Sequence, residues 1–443
     1  MSTSPGRPAR LNATDEMLAV AENSVGASRR IQIVWALPHR PDPARLHEFW
    51  KRLDAGVLSR QPRSPVLPGA RRWWSATGNE QQPCLGADPL RDNQILEWLD
   101  RQVTAPLDGR RLWALSYCPT ETGSVVCLTV PHSTIDGIGL LRAIDATTRR
   151  PDAPLPDHPS GIDDLRDIAD QLITGTPDTA RWLGKVGRDA RLRASIRDAV
   201  RSMAKSRDRS GDSSAGEEPQ FFSTAFVTVP AAAWEAAADA VGGTTNSLFL
   251  SVAERLCRTA IEETRGRPLE IGIPISLRGE DDDSSANALV VVPLRIDENA
   301  PAPHRVRALT KDRLARVCPE DTTLIPQALW HHLPHALSRA LKTPGAQFTD
   351  AVASNFGETP GRVPDAIDHR PASKVFVRTM SVPGVVPGRA RLRLSLCMIR
   401  VRTELSLSIT GIPGHFGAPG RLADTVESVL HSLRIPAEKW TVS

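Results

Sequence analysis

The 443-residue chain has few cysteines, no long apolar run and almost no excess of charge of either sign. Its six cysteines are scattered with no paired spacing: Cys84, Cys118, Cys127, Cys257, Cys318 and Cys397. This pattern excludes a disulfide framework, a zinc knuckle and a C-x-x-C redox pair. No stretch approaches the roughly 18 apolar residues of a membrane-spanning helix, and residues 1–10 lack the apolar core of a signal peptide. We therefore expect a cytoplasmic protein without an integral membrane segment.

The lack of a strong net charge and of nucleotide-binding or esterase motifs excludes several classes of function. The 55 basic and 51 acidic residues give a net charge of only +4, which does not indicate a nucleic-acid partner. The chain also has no G-x-G-x-x-G after a strand, no P-loop and no G-x-S-x-G elbow. Hydride transfer from a nucleotide cofactor, nucleotide hydrolysis and a serine esterase mechanism therefore have no support, and we expect no cofactor.

The most informative segment that is present runs from Ser124 to Ile144. A β-branched apolar run over 124–130 predicts a buried strand, and an apolar helix is expected from Ile138. Between them lie His132, then Asp136 and Gly137. A histidine at the mouth of a buried strand, with a carboxylate four residues on, is a candidate general base. The alternative is a loop histidine with a structural role, and this short motif alone does not decide between the two.

Strand and helix patterns alternate twice along the chain, which predicts two α/β units. Strands are expected at 31–37 and 124–130 in the first unit, with a helix at 43–54 between them. The second unit has expected strands at 223–229, 270–275, 288–296, 391–401 and 404–410, and helices at 231–241, 246–264 and 419–433. We expect subdomains over 10–170 and 221–443, joined by a linker over 171–220.

The linker is rich in arginine and ends in a flexible Ser/Gly composition over 210–216. A basic segment of this kind suits docking of a carrier protein, a CoA phosphate or an anionic membrane. The alternative is a solvated helix whose apolar residues, such as Trp182 and Ile196, pack on the body of the protein.

The segment His132-Ser-Thr-Ile-Asp136-Gly137 resembles the H-H-x-x-x-D-G motif of the chloramphenicol acetyltransferase superfamily. That superfamily includes nonribosomal peptide condensation domains and wax ester synthase/diacylglycerol acyltransferases. Other segments resemble the wax-ester-synthase branch in order, and the match spans about residues 10–435. These segments are Arg10-Leu-Asn-Ala-Thr-Asp15, Pro106 to Trp113, Thr244-Thr-Asn246-Ser, Pro274-Ile-Ser276-Leu-Arg278 and the serine-asparagine turn Ser354-Asn355-Phe356-Gly357. Two residues depart from the pattern: Pro131 replaces the first histidine, and Arg111 replaces a proline.

The resemblance implies an α/β fold of two chloramphenicol-acetyltransferase-like subdomains with the active-site channel between them. It implies His132 as the general base and Asp136 as a positioning carboxylate paired with Arg278. Gly137 permits close backbone approach, and its N–H is a candidate oxyanion donor. Asn246, Ser354 and Asn355 are expected to support the site.

The implied reaction is transfer of an acyl group from a CoA or phosphopantetheine thioester to a hydroxyl or amine. Acyl-CoA or an acyl carrier protein would supply the donor, and a small specialised metabolite would be the acceptor. Three alternatives stay open: storage-lipid synthesis, a cyclisation or rearrangement, and a non-catalytic scaffold or docking module of the same fold.

Two clusters suggest metal sites and are rejected. His331 and His335 have H-x-x-x-H spacing, but Pro334 interrupts the helix that would align them and no acidic residue is near in sequence. Asp281, Asp282 and Asp283 lack the alternation of an EF-hand loop and its closing glutamate. We therefore expect no metal.

Overall fold

Two β-sheets and the helices that cover them form most of the described structure. The computed structural model describes residues 9–16, 18–19, 28–80, 82–108, 110–147, 160–190, 192–194, 196–198, 201, 218–279, 285–297, 302–315, 323–333, 341 and 349–440. The strands are β1 (Ser28–Leu37), β2 (Arg60–Arg63), β3 (Trp73–Ala76), β4 (Cys84–Leu85), β5 (Ala114–Pro119), β6 (Ser124–Pro131), β7 (Ser223–Pro230), β8 (Leu269–Ser276), β9 (Leu289–Ile296), β10 (Ala351–Glu358), β11 (Lys374–Val382), β12 (Leu394–Val401), β13 (Glu404–Gly411) and β14 (Glu438–Trp440).

The helices of this part of the chain lie mainly on the outer faces of the sheets. They are α1 (Pro43–Asp54), α2 (Asp92–Thr104), α3 (Gly137–Ala146), α4 (Gly161–Arg188), α5 (Ala231–Ala240), α6 (Thr245–Ala260), α7 (Pro303–Leu314), α8 (Gln327–Trp330), α9 (Pro413–Phe416) and α10 (Pro419–Ser432). Short 3₁₀ turns occur at Glu262–Thr264, Val363–Asp365 and Pro387–Arg389. None of the helices described is long and apolar enough to span a membrane.

The first sheet has the strand order β11-β1-β6-β5-β4, and the second has the order β14-β7-β13-β12-β10-β8-β9. A separate ribbon pairs β2 with β3. Strand β6 is buried along almost its whole length because its Val and Leu side chains face packed layers on both sides of the sheet. This burial holds the end of the strand, where the candidate motif begins, in a fixed position.

Strand β11 connects the two halves of the molecule. It lies late in the sequence but pairs antiparallel with β1, so the C-terminal half of the chain contributes an edge strand to the first sheet. Its Arg378 is fully buried and donates to Asp100 Oδ1 at 2.7 Å, to Gln32 Oε1 at 2.8 Å and to Thr224 Oγ1 at 3.2 Å. These bonds tie α2, β1 and β7 to one side chain, since a buried guanidinium requires such partners.

The main elements expected from the sequence are present, with a few differences. The α/β class is confirmed. The elements that were not expected are strands β2 to β5, β10, β11 and β14 and helices α2, α7, α8 and α9. Ser354 and Asn355 lie inside strand β10 rather than in a turn. The turn prediction was wrong because β10 pairs in parallel with β12, and the irregularity comes only between Asn355 and Glu358, where Gly357 has φ +70°.

Several expectations concern the linker and the loops. Helix α4 passes residue 170 without a break, so the chain has no structural boundary at that point; the division into 10–170, 171–220 and 221–443 stays a prediction. Trp182 and Ile196 pack against a small cluster with Ile325 and Trp330, as expected for one face of the linker helix. Cys318, the Asp281–Asp283 loop and His335 lie outside the described residues.

Candidate active site

The end of β6 and the start of α3 place the candidate base. The His132 backbone N–H donates to the carbonyl of Arg29 at 2.8 Å, which continues the β1–β6 ladder by one residue. The chain then turns, and the Thr134 N–H donates to the Pro131 carbonyl at 3.1 Å. Asp136 caps α3, because its Oδ1 accepts from the Gly139 N–H at 2.7 Å. The spacing between His132 and Asp136 is therefore the length of one turn between a strand end and a helix cap.

Asp136 makes structural contacts through both of its carboxylate oxygens. Its Oδ2 accepts from Arg278 Nη2 at 2.8 Å and from the Ala288 N–H at 2.9 Å, while its Oδ1 accepts the helix-cap bond. The Asp136 and Arg278 side chains are only 4% and 1% exposed. Their predicted pairing is confirmed. This carboxylate holds the turn to the segment between β8 and β9, and both of its oxygens are used in doing so.

The imidazole of His132 is oriented by Asn287. His132 Nδ1 lies 3.1 Å from Asn287 Oδ1. The Nδ2 group of Asn287 donates elsewhere, to Asp15 Oδ1 at 3.2 Å and to the Ser133 carbonyl at 3.3 Å, so its amide oxygen faces the histidine. An oxygen acceptor at Nδ1 requires the proton on Nδ1, which leaves Nε2 as the basic nitrogen.

Behind Asn287 lies a buried carboxylate, Asp15. Its Oδ1 accepts from the Asn287 backbone N–H at 2.9 Å as well as from Nδ2, and its Oδ2 accepts from the Asn12 N–H at 3.2 Å. Burial raises the pKa of Asp15 to about 6, although its hydrogen bonds and Arg60 act in the opposite direction. The chain of contacts His132–Asn287–Asp15 fixes the base through two polar groups that are distant in sequence.

Burial also keeps His132 neutral. It lowers the pKa of His132 below the ordinary value of 6.5, and the adjacent Arg29 cation lowers it further. The histidine's own backbone carbonyl, Asp136 and Asn287 raise the pKa, but their effect is smaller. At neutral pH the imidazole is therefore the free base, which is the form that removes a proton from an attacking group.

His132 opens into a cavity of about 540 Å³ between the two sheets. Its lining comes from both halves: Arg29, Gly137 and Thr379 on one side, and Pro274 and Leu394 on the other. A cavity of this size suits a drug-sized or acyl-chain ligand. The channel expected between the two subdomains therefore coincides with the position of His132.

At Gly137 the backbone at the start of α3 lies directly against the ring of Phe356. A Cβ added at this glycine would be 2.2 Å from Cε1 of Phe356, so the ring leaves no room for a side chain. As the first residue of α3, Gly137 has an N–H without an acceptor inside the helix, at the positive end of the helix dipole. The same residue lines the cavity, and its role as an oxyanion donor stays a prediction.

The remaining predicted residues are divided between the cavity and its surroundings. Ser354 and Asn355 line the cavity from strand β10. Asn246 does not, and its side chain reaches the site through Asn355, whose Nδ2 lies 3.3 Å from Asn246 Oδ1. The expected asparagine-led helix start is shifted slightly: α6 begins at Thr245 and is capped by Thr244, whose hydroxyl accepts from the Ser247 N–H at 3.2 Å.

Sequence analysis missed four residues that contact or face His132 or its anchor: Asn12, Asp15, Arg29 and Asn287. Asn12 holds the loop by donating from Nδ2 to the Asn287 carbonyl at 2.8 Å. The segment with Asn12 and Asp15 resembles the opening segment of the wax-ester-synthase branch, but nothing in it indicates a contact with the site. Asn287 lies nine residues after Arg278 and belongs to no motif. Only spatial proximity identifies these residues.

The described residues contain no group of three or more His, Cys, Asp or Glu side chains arranged to hold a metal. His331 is packed edge-on against Trp330, and burial lowers its pKa to about 3, as expected for a neutral structural histidine.

Comparison with solved structures gives the fold. The first condensation domain of the CDA synthetase superposes with a TM-score of 0.56 at 13% identity, covering 97% of this chain and 96% of that chain. The starter condensation domain of rhizomide synthetase, in complex with C8-CoA and Leu-SNAC, gives 0.54 at 13% identity, covering 96% and 94%. The epimerization domain from the third module of tyrocidine synthetase B gives 0.52 at 13% identity, covering 98% of each chain.

No family model matches the sequence, and no curated protein does. The likeness to these structures, over nearly the whole chain, confirms the two-part condensation-domain fold that the H-x-x-x-D-G segment implied. The wax-ester-synthase branch stays a prediction.

Proposed function

We propose that this protein is an acyltransferase that moves an acyl group from a CoA or carrier-protein thioester to a hydroxyl or amine of a specialised metabolite. The observation that carries the proposal is the state of His132: a neutral imidazole, held at Nδ1 by Asn287, that lines a cavity between the two sheets. An acceptor hydroxyl or amine at Nε2 would lose its proton as it attacks the thioester carbonyl. The carbonyl oxygen would then take its negative charge toward the Gly137 N–H.

Direct attack on the thioester is favoured over a covalent enzyme intermediate. Cys397 is the cysteine that contacts the cavity wall through Thr379 and Ser354, and burial raises its pKa to about 12. Burial also strongly raises the pKa of Cys127 and Cys257. A thiol is a weak nucleophile when its thiolate is not populated, so the acceptor itself is the better candidate for the attacking group.

The fold alone does not fix the reaction, since an epimerization domain shares it. A rearrangement that takes and returns a proton on opposite faces needs a second exchangeable group. Among the described lining residues, His132 is the only histidine, and the only carboxylate, Asp136, is held in an ion pair with Arg278. This favours transfer, in which one base suffices, over a two-base rearrangement.

A surface outside the cavity supports a carrier protein as one source of donor. Arg181, Lys185 and Arg188 are exposed along the C-terminal part of α4 and border a shallow cleft. A cluster of this kind attracts an acidic partner and increases its association rate, with a strong dependence on salt.

The test measures thiol release from a panel of acyl-CoA and acyl-pantetheine thioesters against pooled alcohols and amines. We expect His132→Ala to lower turnover by about 10²–10⁴-fold while the protein stays folded. The matched control is His431→Ala, which removes an exposed histidine at the end of α10. Near-normal turnover in His132→Ala would remove this residue from the mechanism.

A further inference from the structure

A cation lies directly beside the base. Arg29 is opposite His132 across the β1–β6 ladder, and on its other side it is opposite Ser381 of β11. Side chains of directly opposed residues emerge on the same face of a sheet. All three residues line the cavity. Ser381, Arg29 and His132 therefore form a row along the cavity wall.

Arg29 is half-buried, and it differs from the fully buried arginines Arg30, Arg278 and Arg378 in having no hydrogen-bond or ion-pair partner among the residues that the structure describes. Its guanidinium forms no ion pair or hydrogen bond with any residue that the structure describes. By contrast, Arg278 is paired with Asp136 and Arg378 with Asp100, and Arg30 donates to the Val103 carbonyl at 2.6 Å. Burial lowers the pKa of Arg29, as expected for a cation that has lost water without gaining a partner. A half-buried cation without a partner among the described residues loses part of its hydration, and a bound anion in the cavity would compensate it directly.

The nearby carboxylates do not fill this role. Asp136 has both oxygens committed to Arg278 and to two backbone N–H groups. Asp15 lies behind Asn287 and accepts from Asn287 and Asn12. We propose that Arg29 binds the free carboxylate of the acyl acceptor, which makes the acceptor an amino acid or a hydroxy acid. This proposal rests on the acyl transfer proposed above.

The position of Arg29 indicates that the anion it binds is the acceptor carboxylate and not a phosphate of the donor. If the thioester carbonyl lies at His132, the phosphates of CoA or phosphopantetheine are a full pantetheine arm away. The anion beside His132 must therefore be close to the reacting atoms. An amino or hydroxy acid carries its nucleophile only a few bonds from its carboxylate, so one molecule can present both to His132 and Arg29. The planar guanidinium is well suited to a carboxylate, which it binds with two parallel hydrogen bonds.

Such binding would couple recognition to basicity. The Arg29 cation opposes protonation of His132, so a carboxylate that neutralises Arg29 raises the affinity of the imidazole for a proton. The other groups facing His132 are Asp136, which is paired, and neutral Asn287; Asp15 acts through Asn287. The base would then become stronger only when an acceptor of the right charge is in place.

The experiment compares acceptors that differ only in the carboxylate: leucine with leucinamide, and α-hydroxyisocaproate with its amide. With wild-type protein and an acyl-CoA donor, we expect kcat/KM for each acid to exceed that for its amide by about 10–100-fold, the usual effect of a charge-assisted hydrogen bond. In Arg29→Gln the acids should fall to the level of the amides, and Arg29→Lys should restore part of the preference. If Arg29→Gln lowers acids and amides equally, Arg29 stabilises the transition state and the proposal is wrong.

A second measurement does not depend on turnover. In protein with labelled histidine, NMR titration should show the pKa of His132 rising when α-hydroxyisocaproate is added to wild type, with no such effect in Arg29→Gln or with the amide. If this shift occurs while no thiol is released from any donor, the carboxylate site stands and the proposed acyl transfer falls. If neither assay distinguishes any acid from its amide, the carboxylate proposal is overturned.

Discussion

Removing the carboxylate of Asp136 is expected to destabilise the whole site. Asp136→Ala leaves the Arg278 guanidinium, 1% exposed, without its counter-charge. Breaking one side of a buried pair costs about 3–5 kcal/mol. The same substitution removes the N-cap of α3, worth about 1 kcal/mol. The sum, about 4–6 kcal/mol, is comparable with the total stability of many domains, so we expect loss of soluble protein as well as activity.

Urea unfolding followed by tryptophan fluorescence measures this effect. Asp136→Asn separates the contribution of the helix cap from that of the ion pair. Its amide oxygen still accepts the cap bond from the Gly139 N–H, while the negative charge is lost. Asp136→Ala combined with Arg278→Met removes both charges and should recover part of the stability, since no unpaired charge then remains buried. Glu97→Ala, which breaks an exposed ion pair with Arg101 on α2, is the matched control and should leave the unfolding midpoint unchanged. The reasoning fails if Asp136→Ala unfolds at the wild-type midpoint, or if the double variant is no more stable than the single one.

Three other outcomes are expected. Gly137→Ala would place a methyl group against the Phe356 ring and should lower kcat, and adding Phe356→Ala should restore part of it; a double variant as slow as the single one would show that space at Phe356 is not the cause. Because the pKa of His132 is lowered and its free-base form is the active one, kcat/KM should stay on its plateau as the pH falls to about 6.5 and decline only below it, whereas a decline above that pH would contradict a depressed pKa. Intact-mass measurement of protein incubated with donor alone should show no acyl adduct, and initial rates should follow a sequential pattern; a stable adduct lost on adding acceptor would return attention to the cysteines.

The sequence predicts the parts of the site that are local. The run before His132 favours a buried strand, the apolar segment after Gly137 favours a helix, and the few residues between them must form a turn. Arg278 is 142 positions from Asp136, and only the family resemblance indicated their pairing. No spacing rule connects residues so far apart, because the contact depends on how the β8–β9 segment folds over the end of β6.

The missed elements have identifiable physical causes. Strand β11 carries the fully buried Arg378 in its centre, which interrupts the apolar pattern expected of a strand in the interior. Strand β10 contains Ser354, Asn355 and Gly357, residue types that favour turns. In both strands tertiary contacts decide the conformation: Arg378 is compensated by Asp100 and Gln32, and β10 is paired with β8 and β12.

The structure shows which of the predicted site residues are evidence for an enzyme and which would also be needed in a non-catalytic scaffold of the same fold. Asp136 and Arg278 hold the strand-to-helix turn against the β8–β9 segment. A protein of this fold without catalytic activity would need the same contact for its stability. Their presence is therefore evidence for the fold. His132 and Asn287 are different, because a neutral imidazole held at one nitrogen and open to a cavity at the other contributes little to stability. The case for catalysis rests on that pair, and on Arg29 beside it, which lines the same cavity and has no partner among the described residues.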